Sequence, residues 1–307
     1  MCQTLLDQLD CLALYLRMPT NRFRVLHGSA LKELKQIPSK SVNCCITSPP
    51  YWNQRDYGVE GQFGLEPSLD EYIDRLAGVL REVNRILMDA GTLWLNLGDT
   101  YSSKNYRLQH GGALKQKDLA GVPWRVALAL QADGWFLRSD IVWHKPNPVP
   151  ESARDRPTRS HEYIFLMSKS VRYFYDSDSL REPYVSCKTR FKSQIWRRDR
   201  LRSAPRKRPV RHRGGLRNIL GRNKRTVWTV ASTGYRGCHN ATFPEKLIEP
   251  CILAGCPKGG TVLDPFAGTG TTLVVALKHG RNALGIDLNP KYCSIARERC
   301  MAASRLH

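Results

Sequence analysis

Thr261-Val262-Leu263-Asp264-Pro265-Phe266-Ala267-Gly268-Thr269-Gly270-Thr271-Thr272 decides how the rest of this 307-residue chain is read. A short apolar run, Val262-Leu263, ends in a carboxylate. A glycine-rich turn follows, and then an apolar run over residues 273–277. That order predicts strand, tight turn and helix. Glycines let the backbone pass close beneath a ligand, and the following helix N-terminus offers free N–H groups. The stretch is not a phosphate loop, because no Gly-Lys-Ser/Thr follows, and it is not the G-x-G-x-x-G fingerprint. One helix-length later, Asn282-Ala283-Leu284-Gly285-Ile286-Asp287 predicts a second strand that again ends in an acid. An acid there is placed to accept hydrogen bonds from ribose hydroxyls, as in dinucleotide-binding folds. Together the two strands predict an α/β unit with an adenosine-type cofactor site.

The composition bounds what the partner can be. Lys and Arg number 48 against 27 Asp and Glu, a formal charge of +21. A surface this basic calls for a polyanion, either nucleic acid or an anionic membrane. No apolar run approaches the roughly 20 residues of a membrane span. The first 17 residues are interrupted by Asp7 and Asp10 and carry no small-residue cleavage pattern, so they do not read as a signal peptide. The ten cysteines form no C-x-x-C pair and read as reduced thiols of an intracellular, cytoplasmic protein. Cys238, His239, Cys251 and Cys256 match no standard zinc spacing, and no metal is expected.

Earlier in the chain, residues 23–28 and 41–47 read as strands, with Leu31, Leu34 and Ile37 at helical spacing between them. The second strand runs directly into Ser48-Pro49-Pro50-Tyr51-Trp52. Two prolines cannot continue a strand ladder or a helix interior. The chain must therefore leave the sheet as a stiff turn at the strand's carboxyl end, where open α/β sheets bind ligands. Residues 68–87 predict a long amphipathic helix closed by Gly91, and residues 92–97 a buried strand. A helix over 123–132 and strands over 135–143 and 161–167 follow, then a helix over 245–254. His144 and His161 fall at the ends of two of these strands and read as hydrogen-bonded structural histidines. Between them and the glycine turn the composition changes abruptly. Residues 188–225 hold sixteen Lys and Arg against the single acid Asp199. A run this lopsided is best accounted for by phosphate neutralisation. Its candidate contacts are Arg190, Lys192, Arg197, Arg198, Arg206, Lys207, Arg208, Arg211 and Arg213.

D-P-F-A-G-T-G-T-T followed by G-I-D resembles the S-adenosyl-L-methionine motif of DNA amino-methyltransferases, and S-P-P-Y resembles their catalytic motif. W-H-K-P-N-P and R-S-H-E-Y-I-F resemble their weaker motifs. The order of catalytic turn, basic insert and cofactor turn is similar to that of the beta class of site-specific DNA amino-methyltransferases found in restriction-modification systems. The resemblance covers about residues 22–300. It implies a Rossmann-like, doubly wound sheet, circularly permuted, with a basic target-recognition insert. The implied divisions are an N-terminal extension at 1–21, a catalytic half at 22–182, the insert at 183–236 and a cofactor-binding half at 237–302. It further implies S-adenosyl-L-methionine as cofactor, duplex DNA as substrate, and a cognate restriction endonuclease as functional partner.

Carried over by position, the resemblance assigns Asp264, Pro265, Phe266, Ala267, Gly268, Thr269, Gly270 and Thr271 to the cofactor, with Asp287 on its ribose and Phe243 closing over its methionine end. It assigns Ser48, Pro49, Pro50 and Tyr51 to catalysis. An exocyclic amine is a poor nucleophile because its lone pair is delocalised into the ring. A hydroxyl and a rigid carbonyl that accept from its two hydrogens favour a pyramidal nitrogen, through placement and preorganised electrostatics. Ser48 and the Pro49 carbonyl suit that task, and Tyr51 suits stacking of an extruded base through its ring face. Ser-Pro-Pro-Tyr is typical of N4-cytosine enzymes, whereas adenine-N6 enzymes more often carry Asp in place of the serine. Gly28-Ser29-Ala30 stands where relatives often have Gly-Asp-Ala, and Asn240 replaces a proline. A protein that only bound nucleic acid would need neither motif intact.

Replacing Arg206, Lys207 and Arg208 by Ala is expected to shrink the slope of log affinity against log salt. The loss is up to about 0.9 for each phosphate contact removed. Fluorescence anisotropy with duplex DNA across a salt series measures it, and an unaltered slope would place the phosphate contacts elsewhere.

Overall fold

The computed structural model describes residues 22–102, 114–183, 221–232 and 243–305. Eight strands form one sheet: β1 (Phe23–His27), β2 (Val42–Thr47), β3 (Leu87–Leu97), β4 (Phe136–His144), β5 (His161–Ser168), β6 (Val227–Thr229), β7 (Thr261–Asp264) and β8 (Asn282–Asp287). Their spatial order is β1-β8-β7-β2-β3-β5-β4-β6. The pairs from β1 to β3 are parallel, β5 runs antiparallel to both β3 and β4, and β6 is parallel to β4. The reversal at β5 has no separate signal in a buried apolar strand, and the sequence alone does not predict it. The first strand thus lies beside the last, so residues before and after the basic run share one sheet.

Period-two alternation along the strands feeds two cores. Cys45, Leu93 and Leu95 face one way with α1 (Ala30–Lys35), α2 (Leu69–Ile86) and α3 (Val122–Ala132). Cys44, Ile46 and Trp94 face the other way with α4 (Glu245–Gly255), α5 (Thr271–Lys278) and α6 (Pro290–Ser304). The helix that connects β2 to β3 covers the first face, whereas the one that connects β7 to β8 covers the second. β2 and β7 are neighbours, so the chain departs from them to opposite faces. A crevice must open at their carboxyl ends, the topological switch point of the sheet.

Ser68 caps α2: its hydroxyl accepts from the Glu71 N–H at 3.2 Å and donates to the Glu71 carboxylate at 3.1 Å. The helix ends at Ile86, and β3 starts at Leu87 without a turn, so Gly91 lies inside the strand rather than closing the helix. The pairing of β2 with β3 shifts register there, from Val42 opposite Leu87 to Cys44 opposite Thr92, and that irregularity absorbs the expected turn.

Where the basic run meets the fold, Glu182 and Arg222 exchange two backbone hydrogen bonds of 2.9 Å as an antiparallel bridge. The Glu182 carboxylate lies within 4 Å of the side chains of Arg222, Lys224 and Arg225. Gly221, at φ 106°, passes so close that any side chain would strike the Glu182 carbonyl. The candidate contacts from Arg190 to Arg213, and the segment containing Asn240, lie outside the described residues. Among those residues, no helix is long and apolar enough to cross a membrane.

Gly255 closes α4 against the sheet. A β-carbon there would collide with Trp94 Nε1 and approach Thr92 Oγ1 to 2.8 Å. Gly255→Ala is expected to cost about 1–3 kcal/mol by overpacking, read as a lower urea midpoint with an unchanged slope.

Candidate active site

At the switch point a single carboxylate holds both strand ends. Asp264, 2% exposed, accepts from the Thr47 hydroxyl of β2 at 2.7 Å, from the Thr272 hydroxyl of α5 at 2.6 Å and from the Phe266 N–H at 3.1 Å. Burial pushes its pKa up to about 6, against the opposing pull of these three donors. Thr47 immediately precedes Ser48, so the proline turn and the glycine turn are fixed to each other through one side chain.

The glycine turn is braced from both sides. Asp287, at the end of β8, accepts from the Gly268 N–H at 2.7 Å and from the Asn289 N–H at 2.8 Å, and burial raises its pKa. Arg299 of α6 donates to the Thr269 carbonyl at 2.6 Å and approaches the Thr269 and Thr271 hydroxyls at 3.1 and 3.3 Å. Above the turn lies a cavity of about 120 Å3 lined by Asp264, Pro265, Phe266, Ala267, Gly268, Thr269, Thr271, Asp287 and Phe243. Gly270 departs from expectation. At φ 80° it sits behind the turn, and a β-carbon there would lie 2.9 Å from that of Ala296 in α6. Its missing side chain therefore makes room for the packing of α6 against the turn.

The segment after the proline pair roofs this cavity with Tyr57, Val59, Gly61, Gln62 and Phe63. Asn53 N–H donates to the Gly64 carbonyl at 2.8 Å, and Arg75 bonds both Glu66 at 2.7 Å and the Gln62 carbonyl at 2.9 Å. The Arg75 guanidinium also caps the Phe63 ring at 4.1 Å, and Phe63 meets Phe266 edge-on at 5.2 Å. Ser29, Ala30 and Tyr292 also line it, and Ser48 and Pro50 of the proline turn reach its edge. An apolar slot between aromatic rings, closed at one end by a partly bonded carboxylate, fits the ring and ribose of an adenosine cofactor.

The proline turn forms the wall of a second cavity, about 510 Å3, that shares Ser48, Tyr57 and Phe243 with the first. The Tyr72 hydroxyl holds the Pro50 carbonyl at 3.0 Å, and Trp52 is buried with its indole N–H on the Glu66 carbonyl at 3.1 Å. Tyr51 lays its ring against Gly98, where a β-carbon would come within 2.5 Å of Cε2. Its hydroxyl lies 2.7 Å from Glu162, 3.2 Å from Asn96 Oδ1 and 3.3 Å from Ser48 Oγ. Lys145 forms an ion pair with Glu162. Burial and the Glu162 charge raise the Tyr51 pKa well above that of a free phenol.

The two weaker motifs supply Lys145 and Glu162 to this cluster, although their histidines are the members that stand out in the sequence. In W-H-K-P-N-P and R-S-H-E-Y-I-F, His144 and His161 read as structural histidines, and Lys145 and Glu162 are not among the expected site residues. Glu162 and Asn96 meet the Tyr51 hydroxyl, and Lys145 reaches it only through Glu162. His144 Nδ1 instead faces the Thr229 hydroxyl of β6 at 3.2 Å, and His161 lines the second cavity, edge-on to Tyr163. An acid at the end of an otherwise apolar strand, as Glu162 is in β5, was the available signal.

A Rossmann-like sheet with a braced glycine turn, a second-strand acid and two joined cavities at its switch point defines a methyltransferase fold. A family model described as DNA methylase, covering N6 and N4 methyltransferases, matches residues 42–298. Type II methyltransferase M.Cfr9I of Citrobacter freundii is 44% identical over 295 residues, 91% of this chain and 88% of the relative. Type II methyltransferase M.SmaI of Serratia marcescens is 44% identical over 294 residues, covering 91% and 90%. Among solved structures, the cytosine-N4-specific PvuII DNA methyltransferase shares the fold at a TM-score of 0.65 and 18% identity, covering 92% of this chain and 91% of that one. TTHA0409 of Thermus thermophilus, complexed with S-adenosyl-L-methionine, aligns at a TM-score of 0.59 and 27% identity, covering 92% and 96%. This chain belongs to the N6/N4 DNA methylase family.

Because the folded-state pKa of Asp264 is raised, its contribution to stability is present in full below about pH 4 and is lost as the pH rises through about 6. The Tm of the wild type is therefore expected to gain on that of Asp264→Asn as the pH falls across this window. Scanning calorimetry of both proteins between pH 4 and 7 tests this, and a constant difference would show that the group does not titrate there.

Proposed function

We propose that this type II DNA amino-methyltransferase, with S-adenosyl-L-methionine as cofactor, methylates the N4 amine of a cytosine extruded from duplex DNA. The observation that carries the reading is that two cavities, one fitting the cofactor and one open to a substrate, meet at Ser48. The serine at the head of S-P-P-Y supports cytosine over adenine, and the PvuII enzyme of the same fold is named for the same position.

Asp287 would hold the ribose hydroxyls with the lone pairs left free by Gly268 and Asn289, and Phe63, Phe266 and Tyr57 would flank the purine. When bound, the cofactor supplies an electrophilic methyl on a positively charged sulfur. Ser48 Oγ and the Pro49 carbonyl accept from the two amine hydrogens, which returns the nitrogen lone pair from the ring to the methyl. The Asp264 link to Thr47 sets the distance between the two cavities before either ligand arrives, so little reorganisation is left to the reaction. Tyr51 gives the extruded base a stacking surface, worth about 1–3 kcal/mol. The basic run supplies phosphate contacts, and the type II relatives point to a restriction endonuclease of matching specificity as functional partner.

DNA from cells expressing the protein, digested to nucleosides and resolved by mass spectrometry, is expected to contain N4-methylcytosine. N6-methyladenine would overturn the cytosine assignment and leave the mechanism standing. Ser48→Ala is expected to retain cofactor and DNA binding and to lose roughly a hundredfold in turnover, the order found when one preorganised polar group is removed from a reaction centre.

A further inference from the structure

We infer that Glu162, acting through the Tyr51 hydroxyl, fixes the direction of the Ser48 proton, so that Ser48 meets the amine only as an acceptor. The inference rests on the reading of Ser48 as the amine's acceptor and deepens it.

A serine hydroxyl is ambidextrous: it can donate or accept. Here only one orientation serves the chemistry. A hydroxyl that donated to the amine nitrogen would occupy the lone pair that must attack the methyl. One that accepts from an amine hydrogen leaves that lone pair free. Something must therefore decide where the Ser48 proton goes, and the second cavity contains a group that can.

Glu162 is the fixed point. Its carboxylate accepts only. The ammonium of Lys145 occupies Oε1, with the Trp143 ring 4.3 Å from that nitrogen. Trp143 is in turn held by its indole N–H on the Val230 carbonyl at 2.7 Å. The other oxygen, Oε2, faces Tyr51 Oη at 2.7 Å and Asn96 Nδ2 at 3.2 Å.

The orientation of the Asn96 amide follows from its surroundings. Its Nδ2 lies between two acceptors, Glu162 Oε2 and the Tyr163 carbonyl at 3.0 Å, so a flipped amide would set oxygen against oxygen twice. The Asn96 oxygen, 3.2 Å from Tyr51 Oη, is therefore also an acceptor. The tyrosine hydroxyl thus faces two acceptors with a single proton. The shorter contact, to a charged oxygen, takes it. Tyr51 Oη can then only accept from its remaining neighbour, Ser48 Oγ at 3.3 Å. The Ser48 proton points to Tyr51, and the serine lone pairs are left for the substrate. Every proton along Ser48, Tyr51 and Glu162 runs the same way.

The parts come from four strand ends: Tyr51 after β2, Asn96 in β3, Lys145 after β4 and Glu162 in β5. The Tyr51 hydroxyl lies where only glycine at position 98 lets its ring pass. A tyrosine that served by its ring face alone would need neither the acid nor the lysine behind it.

Glu162→Gln keeps the shape and removes the polarity. An amide places its oxygen toward Lys145 and its NH2 toward Tyr51, which leaves only the longer contact to Asn96 Oδ1 to hold the tyrosine proton, so that proton can turn and the serine proton can face the amine. Tyr51→Phe deletes the link with almost no change in shape and serves if the buried Lys145 destabilises the first variant. In the full-length protein, single-turnover methylation at saturating cofactor and duplex DNA is expected to slow about ten- to a hundredfold in each variant. Cofactor affinity by calorimetry and DNA affinity by anisotropy should stay at wild-type values. Added to Ser48→Ala, either change should produce no further loss, since both act through that hydroxyl. A wild-type rate for Tyr51→Phe, or losses that multiply with that of Ser48→Ala, would overturn the inference. A wild-type rate for Ser48→Ala would instead overturn the proposed role of Ser48, and the two failures are distinguishable.

Discussion

The buried carboxylate of Asp264 is the constraint on which the site depends. Two strands more than two hundred residues apart in sequence end side by side, and each must present a tight turn at a fixed distance from the other. Backbone pairing alone does not fix the turns, because β2 and β7 share only two paired positions, Cys44 with Val262 and Cys45 with Leu263. The hydroxyl of Thr47 on one strand end and the carboxylate of Asp264 on the other close that gap, and Thr272 and the Phe266 N–H use the remaining acceptor positions. Burying an acid this deeply is costly unless it is well bonded. The three donors are the reason it can sit there, and they belong to the three pieces that must be held.

Much of this was legible in the residues. The glycine turn, the second-strand acid and the proline turn carry local signals strong enough to place both cavities, and the strand and helix periods locate almost every element. What escaped is what depends on tertiary neighbours. Gly270 reads as a ligand-facing glycine because turn glycines often are, yet its open face belongs to Ala296. Gly91 reads as the stop of a helix that includes Leu87, yet the pairing of Leu87 with Val42 carries this stretch into the sheet. No local pattern announces the antiparallel β5, or says that Tyr57 and Phe63 fold back over the glycine turn.

The polar cluster behind Tyr51 illustrates the same limit from another side. His144 and His161 attract notice because imidazoles so often do acid-base work, while Lys145 and Glu162 look like an ordinary surface pair. Only the sheet order, which sets β4 beside β5 and β5 beside β3, reveals that they close on Asn96 and on the tyrosine of a turn from a fourth strand. Methyl transfer to an amine requires orientation more than basicity, and an ion pair that orients is harder to recognise in a sequence than a base.

The bridge between Glu182 and Arg222 has a consequence for how such an enzyme can diversify. Its two backbone hydrogen bonds and its cluster of cations around one acid pin both ends of the basic run to the rim of the fold. For a segment whose ends are already held together, doubling the length costs only about 0.6 kcal/mol in closure entropy. The sheet and the chemistry at its switch point are thereby insulated from whatever is spliced between the pins. Such a neck lets the sequence between the pins change in length or composition while the sheet inherits none of the disturbance.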